Sequence, residues 1–230
     1  RLIHASCLSY AAGIPYAAWA ECLKSLCGIV AGDPDELRAR KLGRQLAALG
    51  PGMDEWLPLL GDLVRLDVPD NRLTRGLDPQ LRQARRFELI EQLLLSAAAA
   101  GPVLVLFEDL HWADPISLDL WRRVAGALAG APILLLGVHR PVDLFADEPD
   151  GAELLELKEL SGAQSADLAL ALARGSALTE PLLRQLVERS AGNPLFLSEL
   201  LRTLLDRLAA AEDGLAERLL DDLPDSLNGL

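Results

Sequence analysis

Apolar residues along this 230-residue chain recur in two patterns, short apolar segments and apolar steps of three and four residues. Short segments are typical of strands, and an unbroken run indicates a strand buried on both faces of a parallel sheet. Steps of three and four residues are typical of helices with one packed side. The segments at residues 2–6, 103–107 and 133–138 predict three strands, and residues 154–157 predict a short last one.

Asp-Pro pairs indicate where several helices begin. The Asp side chain accepts hydrogen bonds from free N–H groups of the first turn, and proline suits the first helical position. Such pairs occur at 33–34, 78–79 and 114–115, and Pro15 predicts one more helix start. After Ser161 the pattern is helical throughout, with starts at Thr179 and Asn193. The sequence therefore predicts an α/β domain over residues 1–160 and an all-helical subdomain over residues 161–230.

Two adjacent carboxylates, Glu108 and Asp109, follow the apolar run at 103–107. Open α/β sheets bind ligands at the carboxyl ends of their strands, and P-loop nucleotidases hold Mg²⁺ there with an acidic residue. Charges at a strand end are often merely solvated, and that alternative fits an isolated Glu-Asp pair. Here a helix start at Asp114 follows within a few residues. This order favours a Walker B element.

Residues 108–115, Glu-Asp-Leu-His-Trp-Ala-Asp-Pro, resemble the Walker B segment of the signal-transduction ATPases with numerous domains (STAND). These are P-loop modules inside LuxR-type regulators and multidomain adenylate/guanylate cyclases. Residues 133–141 resemble the next strand with its sensor arginine, and residues 190–197 resemble the GxP helix start. Residues 7–16 resemble the segment after the second strand of these modules. The order and spacing also match, and the resemblance covers nearly all of the chain.

The resemblance implies a role for each matching residue, with ATP or ADP and Mg²⁺ as cofactors. Glu108 would hold Mg²⁺, although the family often has Asp there, and Asp109 would orient or deprotonate the attacking water. Arg140 would read the γ-phosphate; the alternative is a surface arginine in a strand-end loop. Pro194, after Gly192, would pack near the nucleotide; the alternative is an ordinary helix start.

A P-loop is absent from this sequence. The string G-x-x-x-x-G-K-[S/T], whose backbone N–H groups and lysine cradle phosphates, does not occur. None of the three lysines, Lys24, Lys41 and Lys158, can replace it. We therefore expect an incomplete P-loop NTPase core, lacking the first strand and the P-loop, in a fragment cut at both ends. The missing strand would lie between the sensor strand and the last strand, leaving both with unpaired N–H and C=O groups.

Composition predicts a cytoplasmic module without membrane or direct nucleic-acid contact. The formal net charge of −12 argues against binding a phosphate backbone. No apolar run approaches the ~18 residues that a membrane span needs. Three cysteines form no disulfide framework. A zinc site built from His4 and the cysteines is disfavoured, because Cys22 and Cys27 would lie about 140° apart around a helix.

The predicted function is an ATP-binding and hydrolysing regulatory switch within a larger signal-transduction protein. Its partners would be the other domains of the same polypeptide and, on activation, further copies of itself. ATPase activity is expected in the intact parent and not in this fragment alone. The alternative is a degenerate, non-hydrolysing scaffold that relays contacts between domains. An α/β hydrolase is disfavoured because no G-x-S-x-G elbow is present.

Overall fold

The computed structural model describes residues 1–128, 130–142, 144, 151–173 and 179–210, with the side chains of the last helix described through Asp206. The chain divides into two compact units, Arg1–Ala152 and Glu153–Leu230. The first unit combines a sheet with helices, and the second contains helices. Assignment of residues 1–160 to nucleotide binding and 161–230 to a separate subdomain stays a prediction.

A three-stranded parallel sheet organises the first unit. Its strands are β1 (Leu2–Ser6), β2 (Val103–Glu108) and β3 (Ile133–Gly137), side by side in that order. In the register, Ser6 lies opposite Glu108 and Phe107 lies opposite Gly137. The three strands predicted from the apolar segments are confirmed, as is the partial α/β core. Because the strands are parallel, all three carboxyl ends lie at one edge of the sheet.

Two helices of the first unit begin as predicted at the Asp-Pro pairs 78–79 and 114–115, whereas the helix after 33–34 begins one residue later, at Asp35, and has no side-chain cap hydrogen bond. The described helices of this unit are α1 (Ala17–Cys27), α2 (Asp35–Ala47), α3 (Leu57–Gly61), α4 (Pro79–Ala99) and α5 (Pro115–Ala127). Asp78 Oδ1 accepts a hydrogen bond from the Leu81 N–H at 2.8 Å, which caps α4. α1 begins two residues after Pro15, because Tyr16 adopts a left-handed backbone with φ 63° that cannot continue a helix.

Only one face of the sheet is well buried by the described residues. Val103, Val105 and Phe107 of β2 are at most 3 % exposed, and Trp19 of α1 packs on Phe107 with ring centroids 4.9 Å apart. The other face is open, and there Leu134 is 62 % exposed. The prediction that the 103–107 strand is buried on both faces is wrong, because no described helix of the first unit covers this second face.

The predicted strand at 154–157 is also wrong. The structure places no strand there, and the side chains of Leu154, Leu155 and Leu157 are each at least 67 % exposed. A strand forms only where a neighbour accepts its ladder hydrogen bonds. No described strand pairs with this segment, since the sheet contains β1, β2 and β3 alone.

The second unit contains three described helices, α6 (Gly162–Ala173), α7 (Glu180–Ser190) and α8 (Pro194–Ala210). Apolar side chains at three- and four-residue steps meet in its core. The fully buried members include Leu186 on α7 and Leu197, Leu200 and Leu204 on α8. The predicted run of helices after the sheet is thus confirmed as far as Ala210, and the part of this prediction that falls on residues 174–178 and 211–230 lies outside the described residues. No helix in the described residues is both long and apolar enough to cross a membrane.

Candidate functional site

The loop after β2 is attached to the end of β3 by backbone hydrogen bonds. The Val138 N–H donates to the Phe107 carbonyl at 2.8 Å, and the Leu110 N–H donates to the Val138 carbonyl at 2.9 Å. Between Phe107 and Leu110, Asp109 adopts a left-handed backbone conformation with φ 53°, which turns the chain sharply after β2. The acidic loop therefore has a defined position beside the segment that leads to Arg140.

Gly137, the last residue of β3, permits this close approach. A Cβ atom at this position would lie 2.7 Å from Leu110 Cδ2 and 3.5 Å from the Trp121 ring. The first distance is shorter than any ordinary carbon contact. Glycine therefore allows the buried Leu110 to pack directly over the end of β3 and hold the acidic loop there.

Glu108 extends from the open face of the sheet and contacts two side chains of β1. Its Oε2 lies 2.8 Å from His4 Nε2 and accepts a hydrogen bond from Ser6 Oγ at 3.3 Å. The His4 and Glu108 side chains are 44 % and 51 % exposed, so the cluster is open to solvent. Carboxylate and hydroxyl oxygens are suitable ligands for Mg²⁺. The residue predicted to hold the metal therefore presents an accessible oxygen donor.

Sequence reasoning did not connect His4 and Ser6 with Glu108. Side chains alternate along a strand, so positions 4 and 6 of β1 had to share a face. Which residue of β2 faces them depends on the pairing register, which places Ser6 opposite Glu108. The sequence therefore shows that His4 and Ser6 share a face of β1, but it does not show which residue of β2 lies opposite them.

Asp109 and Arg140 lie past the carboxyl ends of neighbouring strands, β2 and β3, and both are exposed. Arg140 follows the last residue of β3 by three positions, and its carbonyl lies 2.6 Å from His139 Nδ1. Within the described part of the chain, the Arg140 guanidinium forms no ion pair. A guanidinium at this edge can bind phosphate oxygens with its forked N–H groups. The structure thus brings Glu108, Asp109 and Arg140 to one edge of the sheet.

Asp114, after the acidic loop, caps α5. Its Oδ1 accepts a hydrogen bond from the Ser117 N–H at 3.0 Å, and its Oδ2 accepts one from Ser117 Oγ at 2.5 Å. Both side chains are buried, at 4 % and 1 % exposure. The cap fixes the start of α5 relative to the loop, and Asp114 therefore acts as a structural member of the motif.

The three cysteines are buried, reduced thiols. Burial raises the pKa of Cys7, Cys22 and Cys27 to about 12, and the nearby Asp109 carboxylate contributes to the shift at Cys7. A thiol with such a pKa is neutral near pH 7 and is a poor nucleophile and metal ligand. Among the described residues, no group of three or more His, Cys, Asp and Glu side chains suits a metal ion. A metal at Glu108 would therefore need other donors as well.

Gly192 and Pro194 lie in the helical unit and have structural reasons for their residue types. Gly192 has φ 78°, and a Cβ atom there would lie 2.5 Å from the Leu160 carbonyl oxygen. Asn193 Oδ1 accepts hydrogen bonds from the N–H groups of residues 195 and 196, both at 3.0 Å, which caps α8 at Pro194. Contact of either residue with a nucleotide stays a prediction.

Comparison with known proteins adds a family match. A family model described as an AAA ATPase domain matches residues 1–136, which extend from β1 almost to the end of β3. The uncharacterized protein R02095 of Rhizobium meliloti (strain 1021) is 33% identical over 76 residues. That alignment covers 33% of this chain and 7% of the relative, so the chain matches only a small part of it. No solved structure matches the chain.

Proposed function

This chain belongs to the AAA ATPase domain family, and from that premise we propose that it is the nucleotide-dependent switch module of a larger signal-transduction protein of the STAND class. The parent would be a LuxR-type regulator or a multidomain cyclase. One observation carries the proposal: the residues that flank Glu108-Asp109, Phe107 and Leu110, are hydrogen-bonded to Val138, which follows β3 and leads to Arg140. Groups suited to a metal, a water molecule and a phosphate thereby share one edge of the sheet.

Three residues would divide the chemistry. Glu108, with its exposed carboxylate, would hold Mg²⁺, which neutralises negative charge on bound phosphates. Asp109 would orient or deprotonate the attacking water. Arg140 would contact the γ-phosphate through its guanidinium and so distinguish ATP from ADP.

The phosphate cradle would come from another part of the same polypeptide, since no P-loop string occurs in these 230 residues. Two features of β3 support this. β3 is the end strand of the described sheet, so one side of its backbone ladder has no strand partner there. Its Leu134 and Leu136 side chains are 62 % and 43 % exposed on the open face. A strand added at this edge, with a helix over the face, would complete the two-sided burial that parallel sheets need.

The helical unit would respond to the nucleotide. In this proposal Gly192 and Pro194 lie near bound ADP in a closed state, and ATP favours an open state that associates with further copies. Such a switch requires that ATP and ADP bind the two states with different affinities. ADP and a non-hydrolysable ATP analogue should therefore give different oligomeric states in the parent protein.

A non-hydrolysing scaffold is the second candidate, and one contact favours it. One oxygen of the Glu108 carboxylate, Oε2, already contacts His4 and Ser6. If this contact persists with nucleotide bound, the module would relay contacts between domains without turnover. Hydrolysis by the parent protein would exclude the scaffold.

The proposal is tested by calorimetric titration of the parent polypeptide with ADP, with and without Mg²⁺. We expect Glu108→Gln to abolish the gain in ADP affinity that Mg²⁺ provides. Asp109→Asn should retain nucleotide binding and lose hydrolysis. An unchanged Mg²⁺ dependence in Glu108→Gln, or equal oligomeric states with ADP and the ATP analogue, would contradict the proposal. Tight ADP binding by the 230-residue chain alone would show that a cradle exists within it.

A further inference from the structure

His4, Ser6 and Glu108 form a compact set of three donor atoms on the open face of the sheet. We propose that this set is a divalent-cation site in which the His4 imidazole nitrogen is a direct ligand, together with Ser6 Oγ and a Glu108 carboxylate oxygen. The inference rests on the proposed role of Glu108 in metal binding. It adds two ligands and a metal preference to that role.

The spacing of the three atoms suits one shared ion. His4 Nε2 lies 2.8 Å from Glu108 Oε2, Ser6 Oγ lies 3.3 Å from the same oxygen, and Ser6 Oγ lies 3.5 Å from the imidazole nitrogen. Neighbouring ligands of an octahedral ion with bonds of 2.1 Å are about 3.0 Å apart. Those of a tetrahedral zinc site are about 3.3 Å apart. The observed triangle spans this range, so little rearrangement is needed.

The backbone holds the donors in place. Ser6 and Glu108 are register partners on adjacent strands, and His4 lies two residues before Ser6 on the same face. The His4 backbone N–H donates to Ser25 Oγ of α1 at 3.1 Å, which fixes the outer edge of β1 beside the helix. Donors on paired strands are more precisely placed than donors on loops.

The nitrogen donor determines the preferred ion. Mg²⁺ prefers oxygen ligands, whereas an imidazole suits transition ions such as Zn²⁺, Co²⁺ and Ni²⁺. The His4 and Glu108 side chains are 44 % and 51 % exposed, so an ion can enter from solvent. The formal net charge of −12 also favours the approach of cations. The site should therefore bind Co²⁺ more tightly than Mg²⁺, and the difference should depend on His4.

The experiment is a calorimetric titration of the 230-residue chain with Co²⁺ and, separately, with Mg²⁺. We compare the wild type with His4→Gln, Ser6→Ala and Glu108→Gln. His139→Gln removes another imidazole and serves as the matched control for His4. Glu21→Gln removes an exposed carboxylate paired with Lys24 and serves as the control for Glu108. Proton NMR of the Co²⁺-loaded chain gives a second readout, because a coordinated imidazole shows strongly shifted ring signals.

We expect His4→Gln to weaken Co²⁺ binding at least about tenfold, to change Mg²⁺ binding much less, and to remove the shifted imidazole signals. Glu108→Gln should weaken both ions, and the controls neither. If Glu108→Gln abolishes metal binding while His4→Gln does not change it, the inference is wrong and the proposed role of Glu108 survives. If neither variant changes binding, both are wrong for this chain. Absence of Co²⁺ binding by the wild type would also overturn the inference.

Discussion

Replacing Gly192 with alanine should destabilise the helical unit, because the new methyl group has no room. Its Cβ would lie 2.5 Å from the Leu160 carbonyl oxygen and 3.1 Å from the Leu160 nitrogen. These are backbone atoms, which cannot rotate away as the end of a side chain can. The same two residues also share a hydrogen bond, from the Leu160 N–H to the Gly192 carbonyl at 2.8 Å. Any shift that relieves the contact would strain this bond.

Two effects add to the expected free-energy cost. Alanine at φ 78° pays about 1–2 kcal/mol for a left-handed backbone. Forcing an extra carbon into a closely packed site costs about 1–3 kcal/mol more. The total for Gly192→Ala is therefore about 2–5 kcal/mol. Gly151→Ala, in the first unit, is a control for the backbone contribution, because Gly151 also has φ 78° but no atom of the described residues lies within 4 Å of its Cβ position. Gly151→Ala should lose only the about 1–2 kcal/mol that the left-handed backbone costs.

Urea unfolding followed by two signals measures the effect. All four tryptophans lie in the first unit, so their fluorescence reports that unit alone. Circular dichroism at 222 nm reports the helices of both units. Gly192→Ala should shift the dichroism transition to lower urea, with a smaller change in fluorescence. If Gly192→Ala costs no more than Gly151→Ala, the packing explanation is refuted. If it is stable but weakens ADP binding in the parent, the cofactor role would explain the glycine instead.

Three further predictions concern the cap, the thiols and the open face. Asp114→Ala should lower the free energy of unfolding by about 2–4 kcal/mol, since it removes a buried cap and leaves the Ser117 hydroxyl without this partner. Asp78→Ala, at an exposed cap, should lower it by about 1 kcal/mol. Equal losses of unfolding free energy in urea would refute the burial argument. A thiol reagent at pH 8 should label the cysteines only after unfolding, because their pKa is raised to about 12 in the fold. The raised pKa also means that the protonated thiols favour the folded state. Because unfolded thiols ionise near pH 9, this stabilisation is complete below pH 9 and is lost as the pH rises towards 12, which alkaline unfolding curves would detect. β3 is the end strand of the described sheet, and the exposed Leu134 and Leu136 side chains on it should promote association between copies of the chain. Leu134→Lys and Leu136→Lys should therefore lower the light scattering of concentrated samples with little loss of unfolding free energy, and unchanged scattering would contradict association through β3.

The sequence alone determined where most helices and strands lie and that Glu108 and Asp109 follow a strand. Asp-Pro pairs predicted the starts of α4 and α5, where the structure shows the expected cap hydrogen bonds. Apolar segments predicted β1, β2 and β3 and placed Glu108 at the end of a strand. These signals are readable because capping and side-chain periodicity involve residues only a few positions apart.

Tertiary structure decided what depends on distant partners. The contact between His4 and Glu108 joins residues 104 positions apart and follows from the register of β1 with β2. The apolar pattern at 154–157 suits a strand, yet no strand among the described residues pairs with it. The apolar run of β2 suggested burial on two faces, yet the described helices of the first unit cover only one. Pairing and coverage require a second element in place, and no local pattern contains that information.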